Sequence, residues 1–240
     1  MLEERFAELA REWHASVPVP AAPDEDTFRT LRADAAAIRA VGNWVSGPGD
    51  LPSILGRQRD EMFHSRLIGW LLNPSGRHGL GDRFLRAFLA EAWPGEPIDT
   101  GGAVDIALEW PRSGVSDVTG LTVEARADLV MTLESLVIVI ENKLDAGEGA
   151  DQCERLYWPW AQDPIETRWV FLTPSGREPV TATSDVACAA WRSLGYAQVR
   201  RALVRALEGA PDRPGDPGRA SAVQYLPPST PSATRSPEPT

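Results

Sequence analysis

The sequence predicts an α/β domain with an N-terminal helical layer. Apolar residues recur at helical spacing until about residue 93. The period then changes to short runs rich in β-branched and aromatic side chains, with a helical stretch between the last two. Helices first, then strands with an intervening helix, is the pattern of a layered α/β architecture. A 240-residue chain that is 42% hydrophobic can bury the core this needs.

The elements follow in order. Residues 2–14 read as a helix with Phe6, Leu9 and Trp13 on one stripe. A proline-rich joint runs from Val17 to Pro23, and Asp24 to Asp26 then supply capping acids. A second helix, 27–45, carries Phe28, Leu31, Ile38 and Val41, and Gly47-Pro48-Gly49 breaks it. A third, 58–73, is apolar at Phe63, Leu67, Trp70 and Leu71 and stops at Asn73-Pro74. After a glycine-rich turn, Asp82 can cap a fourth helix that ends near Trp93. Strands are expected over 104–110, 126–132, 136–142 and 168–173, with a helix over 148–161 and a last one from Tyr196 to Glu208. From Ala210 onward Pro, Ser, Thr and Gly dominate, the composition of a disordered tail. The expected organisation is a helical segment 1–53, a folded domain 54–209 and a tail 210–240.

Charge narrows the function. The formal net charge of −10 excludes a broad basic coat for nucleic acid, so any such contact is local or bridged by metal ions. The longest aliphatic run, Leu136 to Ile140, is too short to span a bilayer, and the acidic N-terminus is no signal peptide. Two cysteines, Cys153 and Cys188, make no disulfide framework and have no zinc-ligand spacing, so a soluble cytoplasmic protein is expected. Walker loops and nucleophile elbows are absent from the sequence. Of the 24 basic residues 23 are arginines and one, Lys143, is a lysine. Where arginine has replaced lysine almost everywhere, the lysine that survives is a candidate for chemistry arginine cannot perform.

Strand geometry supports that candidate. If Glu134-Ser135 is a two-residue turn between 126–132 and 136–142, paired positions sum to 269 and Asp128 lies opposite Glu141. Directly opposed side chains have Cβ atoms about 4.5–5.5 Å apart. Alternation puts Lys143 on the same face as Glu141. Two half-buried carboxylates repel unless a cation lies between them, and Mg²⁺ or Mn²⁺ suits such oxygens. A metal-bound water beside Lys143 could then attack a phosphodiester, with the lysine orienting or deprotonating it. The plainer alternative is a surface ion pair of Lys143 with Glu141 or Asp145.

Asp128 followed by Glu141-Asn142-Lys143 resembles the PD-(D/E)XK nuclease superfamily. The surrounding text resembles the helical lead-in of one uncharacterised family within it: Glu61 to Ser65, Trp70 to Pro74, His78 to Gly81 and Phe84 to Leu89, then Arg126 to Asp128, Ile138 to Asp145, Glu148 with Asp151-Gln152, and Phe171 to Arg177. The resemblance covers roughly residues 54–208. It implies a restriction-endonuclease-like fold, a small mixed central sheet flanked by helices. It also implies metal-dependent hydrolysis of DNA by a hydrolase that binds Mg²⁺ or Mn²⁺, with defence against foreign DNA as a role by analogy. RNA is the less expected substrate, and a homodimer is one option for assembly. By resemblance Asp128 and Glu141 match metal ligands, Lys143 the catalytic lysine, and Glu61 an acid that completes the metal site. Gln152 matches a glutamine that contacts substrate or orients the lysine. His64 and Ser65 are carried as substrate-contacting or structural. One departure is Tyr157, where related sequences place tyrosine four residues after the glutamine, at the position of Leu156. The family's chains also tend to run on past the end of the match.

Other groupings have plainer readings beside functional ones. Arg57, Arg59 and Arg66, and Arg200, Arg201 and Arg205, form stripes that could touch phosphates or simply face solvent. The run Tyr157-Trp158-Pro159-Trp160 could stack on bases or pack the core. Two alternatives to a DNA nuclease stay open: a nuclease-fold module that binds nucleic acid or protein without cutting, and an RNA-cutting toxin.

Overall fold

Seven consecutive buried residues, Leu136–Asn142, form the central strand of the computed structural model, which describes Arg5, Glu8 and residues 24–40, 50–211 and 215–225. A strand apolar on both faces is stable only in a sheet covered on both sides. The sheet contains β1 (Asp105–Val115), β2 (Thr122–Thr132), β3 (Leu136–Asn142), β4 (Glu166–Thr173) and β5 (Trp191–Gly195), side by side in that order. The first two pairings are antiparallel and the last two parallel, so the sheet is mixed, as expected.

The chain divides into two compact units, Met1–Gly47 and Pro48–Thr240. In the first, α1 (Glu25–Ala40) is described, with Phe28 and Leu31 exposed. The expected 2–14 helix and residues 41–45 of the second lie outside the described residues, apart from Arg5 and Glu8, which are helical. The second unit holds the sheet and α2 (Leu51–Ile54), α3 (Glu61–Leu72), α4 (Arg83–Ala92), α5 (Gln152–Ala161), α6 (Asp185–Ala190), α7 (Tyr196–Glu208) and α8 (Pro217–Gln224). Among the described residues no helix is long and apolar enough to cross a membrane.

Two cores lie on the two faces of the sheet. Ile138 and Ile140 pack with Leu71, Phe84, Phe88 and Leu203 from α3, α4 and α7. Val137 and Val139 pack with Leu156 and Trp160 of α5 and with Trp169 and Phe171 of β4. The aromatic run 157–160 is thus core, with Trp158, Pro159 and Trp160 buried. Helix α3 lies close on β1 and β2: a Cβ at Gly69 would meet Ile106 and Leu129 at 3.1 Å, tighter than ordinary contact. This is why the buried face of α3 runs through His64, Ile68 and Leu72 while Phe63 is only half-buried.

Several expectations change. Asp82 makes no side-chain cap to α4; its carboxylate pairs with Arg86 one turn on. The strand Trp191–Gly195 and helix α6 escaped the sequence reading, being only 5 and 6 residues long. The tail reading fails over 217–225, where α8 forms and Tyr225 is wholly buried beside His64. Asp216 caps α8 by accepting from the Gly218 and Arg219 amides. A Cβ at Gly218 would lie 1.6 Å from the Arg77 carbonyl oxygen, so only glycine lets this turn approach. Low apolar content hid a segment held by two anchors, Ala222 and Tyr225. Residues 226–240 lie outside the described residues.

Burial of Tyr225 has a measurable consequence. Truncating a buried aromatic to alanine costs about 3–5 kcal/mol. Tyr225→Ala should lower unfolding free energy in urea by that amount. Tyr225→Phe, which leaves the buried His64 Nδ1 unpaired, should lose about 1–3 kcal/mol.

Candidate active site

The β2–β3 register has the expected sum: Leu129 pairs with Ile140, Val130 with Val139, Met131 with Ile138 and Thr132 with Val137. One step further sets Asp128 across from Glu141, and the Asp128 Oδ2 atom accepts the Asn142 amide at 2.8 Å. Just past the strand, the Lys143 amide donates to the Leu172 carbonyl at 2.8 Å, continuing the alignment with β4.

Odd and even positions at this strand end do different work. Glu141 is fully buried, and the Lys143 ammonium lies 3.0 Å from its Oε1. Gln152, first residue of α5, donates to the same oxygen while its own Oε1 accepts the Gly149 amide at 3.0 Å. The other oxygen, Glu141 Oε2, is buried with no partner. On the opposite face Asn142 is buried and fully bonded. Its side-chain amide donates to the Glu61 carbonyl at 3.0 Å and to Ser65 Oγ at 3.1 Å, and its Oδ1 accepts from Tyr196 at 2.7 Å.

Glu61, at the start of α3, reaches the same end of the sheet. Its Oε1 accepts the Leu144 amide at 2.8 Å, and its Oε2 stands 3.7 Å from the Lys143 ammonium. Both oxygens are therefore turned to residues just after β3. Among the described residues no three His, Cys, Asp or Glu side chains are gathered closely enough to hold an ion. Asp128 and Glu141 face each other, and Glu61 reaches the Lys143 ammonium that Glu141 also holds. The pair fits a hard divalent cation that keeps several waters, because it offers a buried carboxylate oxygen lacking any donor.

Electrostatics point the same way. Burial pushes the Asp128 carboxyl above its ordinary range, against the lowering effect of the Asn142 amide and Lys143. Burial also raises Glu141, and the charge of Asp128 adds to it. Burial alone would lower Lys143, but Glu141, Asp128 and Glu61 outweigh it and hold the ammonium above its usual value. The lysine is a held positive charge.

Two residues carried as substrate-contacting or structural, His64 and Ser65, are interior, whereas Gln152 is half-buried. His64 is buried, its Nε2 donating to the Gln58 carbonyl at 3.2 Å and its Nδ1 accepting from Tyr225 at 3.0 Å. Its ring packs against Tyr225 and Tyr196, which accords with the structural one of its two readings. Ser65 is buried and donates to the Glu61 carbonyl at 2.8 Å. His78 bonds the Asn73 carbonyl and the Leu80 amide. Tyr157 packs on Trp158 and Trp169, as its displaced position implied.

Four contributors were missed in the sequence. Asn142 was readable as a polar side chain on the buried even face of an apolar strand. Tyr196 left no signal beyond opening a helix. Glu148 is the carboxylate that Arg177, the Val180 and Thr181 amides and the Thr181 hydroxyl all share, tying the loop after β4 to the start of α5. Glu109, across from Asp128 in the β1–β2 register, has φ 52° and pairs with Arg126 at 3.0 Å. A non-glycine residue in the left-handed region of a strand is strained, a condition that concentrates at functional sites.

A family model described as the PD-(D/E)XK nuclease superfamily matches residues 52–208, more than half of the chain. No curated protein and no solved structure matches it.

Two measurements probe the supporting bonds. Asn142→Ala strands the buried Tyr196 hydroxyl, while the Glu61 carbonyl keeps Ser65, and should destabilise the fold by about 1–3 kcal/mol in chemical denaturation. Burial chiefly holds His64 and His78 below the ordinary 6.5. Their neutral forms stabilise the fold fully above pH 6.5, and that contribution is lost as pH falls through their lowered values. The thermal midpoint should drop below pH 6.5, and His64→Gln should make that drop smaller.

Proposed function

Because the chain belongs to the PD-(D/E)XK nuclease superfamily, we propose that its carboxylate pair and lone lysine hydrolyse phosphodiester bonds of DNA with Mg²⁺ or Mn²⁺. The observation that carries this is the partnerless buried oxygen of Glu141, set across from Asp128 and beside a charged lysine. A structural ion pair has no need of that oxygen.

Asp128 and Glu141 hold the ion, which supplies polarisation of a phosphoryl oxygen and acidification of a water. Gln152 and Lys143 share Glu141 Oε1, which leaves Oε2 to face the site. Lys143 sits where negative charge grows on the phosphate and stabilises it electrostatically. Glu61 fixes the lysine from behind through Oε2 and the following backbone through Oε1. Asn142 and Ser65 position α3 against the strand. Defence against foreign DNA is proposed by analogy with the family. A cytoplasmic location accords with Cys153 and Cys188, both free thiols.

The second reading, a nuclease-fold module that binds without cutting, draws on the engagement of both Glu61 oxygens with residues of the chain itself.

Incubation with linear DNA, circular DNA and RNA, with Mg²⁺ or Mn²⁺ and with EDTA, separates the readings. The DNA arms should be cut only with metal, and Asp128→Asn and Lys143→Ala should each reduce cleavage by about 10²–10³-fold, the size of losing one transition-state charge partner. Equal backgrounds in all lanes would sink the enzyme, and cutting confined to RNA would reassign its substrate.

A further inference from the structure

A groove of about 470 Å³ opens along the β1–β2 hairpin, with Arg112, Arg126 and Arg155 in its lining. It adjoins the carboxylate pair through two covalent links. Arg126 precedes Asp128 by two residues on β2, about 6–7 Å at the strand rise. Arg155 follows Gln152 by three residues on α5, so it lies one helical turn from the side chain that holds Glu141.

A third link is Glu109. It lies across from Asp128 and binds Arg126 at 3.0 Å, so one acidic side chain connects the groove to the site. Its left-handed backbone also resets β1. Asp105 and Ala107 line the same cavity as Trp110 and Arg112, which strict alternation over an unbroken strand would forbid. The strand therefore changes phase at Glu109, and the groove begins just beyond the change.

The arginines differ in how far they are neutralised. Arg112 forms a two-bond pair with Asp163 and stacks over Trp160, which makes it a wall. Arg126 has a side chain 65% exposed and spends one N–H on Glu109. Arg155 gives one N–H to the Glu124 carbonyl at 2.8 Å, and no carboxylate among the described residues lies within 4.0 Å of it. Each guanidinium carries five donors in a fork that matches phosphate oxygens, so both keep free donors in the groove. Most of the arginines in the stripes read in the sequence are paired elsewhere, Arg201 and Arg205 with Glu91, Arg57 with Asp60 and Arg59 with Asp145. Arg66 and Arg200 lie on α3 and α7, outside the lining of this groove. In a chain of net charge −10, a groove with two incompletely paired guanidiniums beside the carboxylate pair is a local route for a polyanion.

We propose that this groove carries the phosphodiester backbone of the bound DNA strand next to the scissile phosphate, with Arg126 and Arg155 as its phosphate-binding residues. The assignment rests on the nuclease reading and adds the path of the strand to it.

The test uses the full chain and a labelled DNA oligonucleotide, beside an RNA of the same sequence. Affinity is followed by fluorescence anisotropy at several salt concentrations in an Asp128→Asn background, and cleavage in the native one. Arg126→Ala with Arg155→Ala should weaken DNA binding at least tenfold. It should also lower the slope of log K against log salt by about 1.5, as two lost phosphate contacts require. In cleavage the same pair should raise KM more than it lowers kcat. Arg126→Lys with Arg155→Lys, which keeps the charge in an equally folded protein, should restore most of the salt slope. Arg200→Ala on α7 should change nothing. Unchanged affinity and slope in the double alanine variant, with DNA still cut by the native protein, overturns the groove and leaves the nuclease reading standing. Neither binding nor cleavage by the native protein overturns both. Tighter binding of RNA, lost with the same arginines, overturns the assignment to DNA.

Discussion

The side-chain amide of Asn142 joins three parts of the molecule at the end of its central strand. It bonds the start of α3 through the Glu61 carbonyl and Ser65, and α7 through Tyr196, while the Asn142 backbone amide goes to Asp128 on β2. Buried networks of this kind contribute most when every member is satisfied, and each of these is. The alternation of β3 then leaves its neighbours no choice of direction. With Asn142 locked on one face, Glu141 must point to the other, and Lys143 leaves the strand on that side. Glu141 and Lys143 are held in direction because the residue between them is immobilised.

The opposite face carries an electrostatic cost. Burying two carboxylates across from each other is unfavourable, and burial raises the pKa of both. Lys143 and Gln152 relieve one oxygen of Glu141 and leave the other without a donor. Elsewhere the chain satisfies its buried acids. Glu148, whose side chain is 1% exposed, is surrounded by donors from Arg177, Val180 and Thr181, and Glu154 receives the Thr183 and Ser184 amides. That contrast separates structural carboxylates from the candidate catalytic pair better than residue type does.

Those structural carboxylates account for sequence features outside the site. Glu148 and Arg177, far apart in the chain, are partners, and they tie the loop after β4 to the turn that launches Gln152. His64 and the C-terminal Tyr225 are likewise partners, so a segment beyond the family match buttresses the helix that carries Glu61. His64 and Ser65 are buried and bonded within the frame around the end of β3.

Local pattern was enough for much of this. The hairpin register followed from one two-residue turn, and with it the opposition of Asp128 and Glu141. The helix Tyr196–Glu208 and the strand Leu136–Asn142 were legible to the residue because their periods are clean. The short strand β5, the buried C-terminal turn around Tyr225 and the direction of His64 were not, since each is held by contacts with residues distant in sequence. Strand pairing and alternation are local rules, and they sufficed for the central hairpin and for singling out Asp128, Glu141 and Lys143 as candidates. Tertiary packing added the raised pKa of Lys143, the approach of Glu61 to its ammonium and the groove lined by Arg126. Those depend on burial and on distances between elements, which no spacing along the chain encodes.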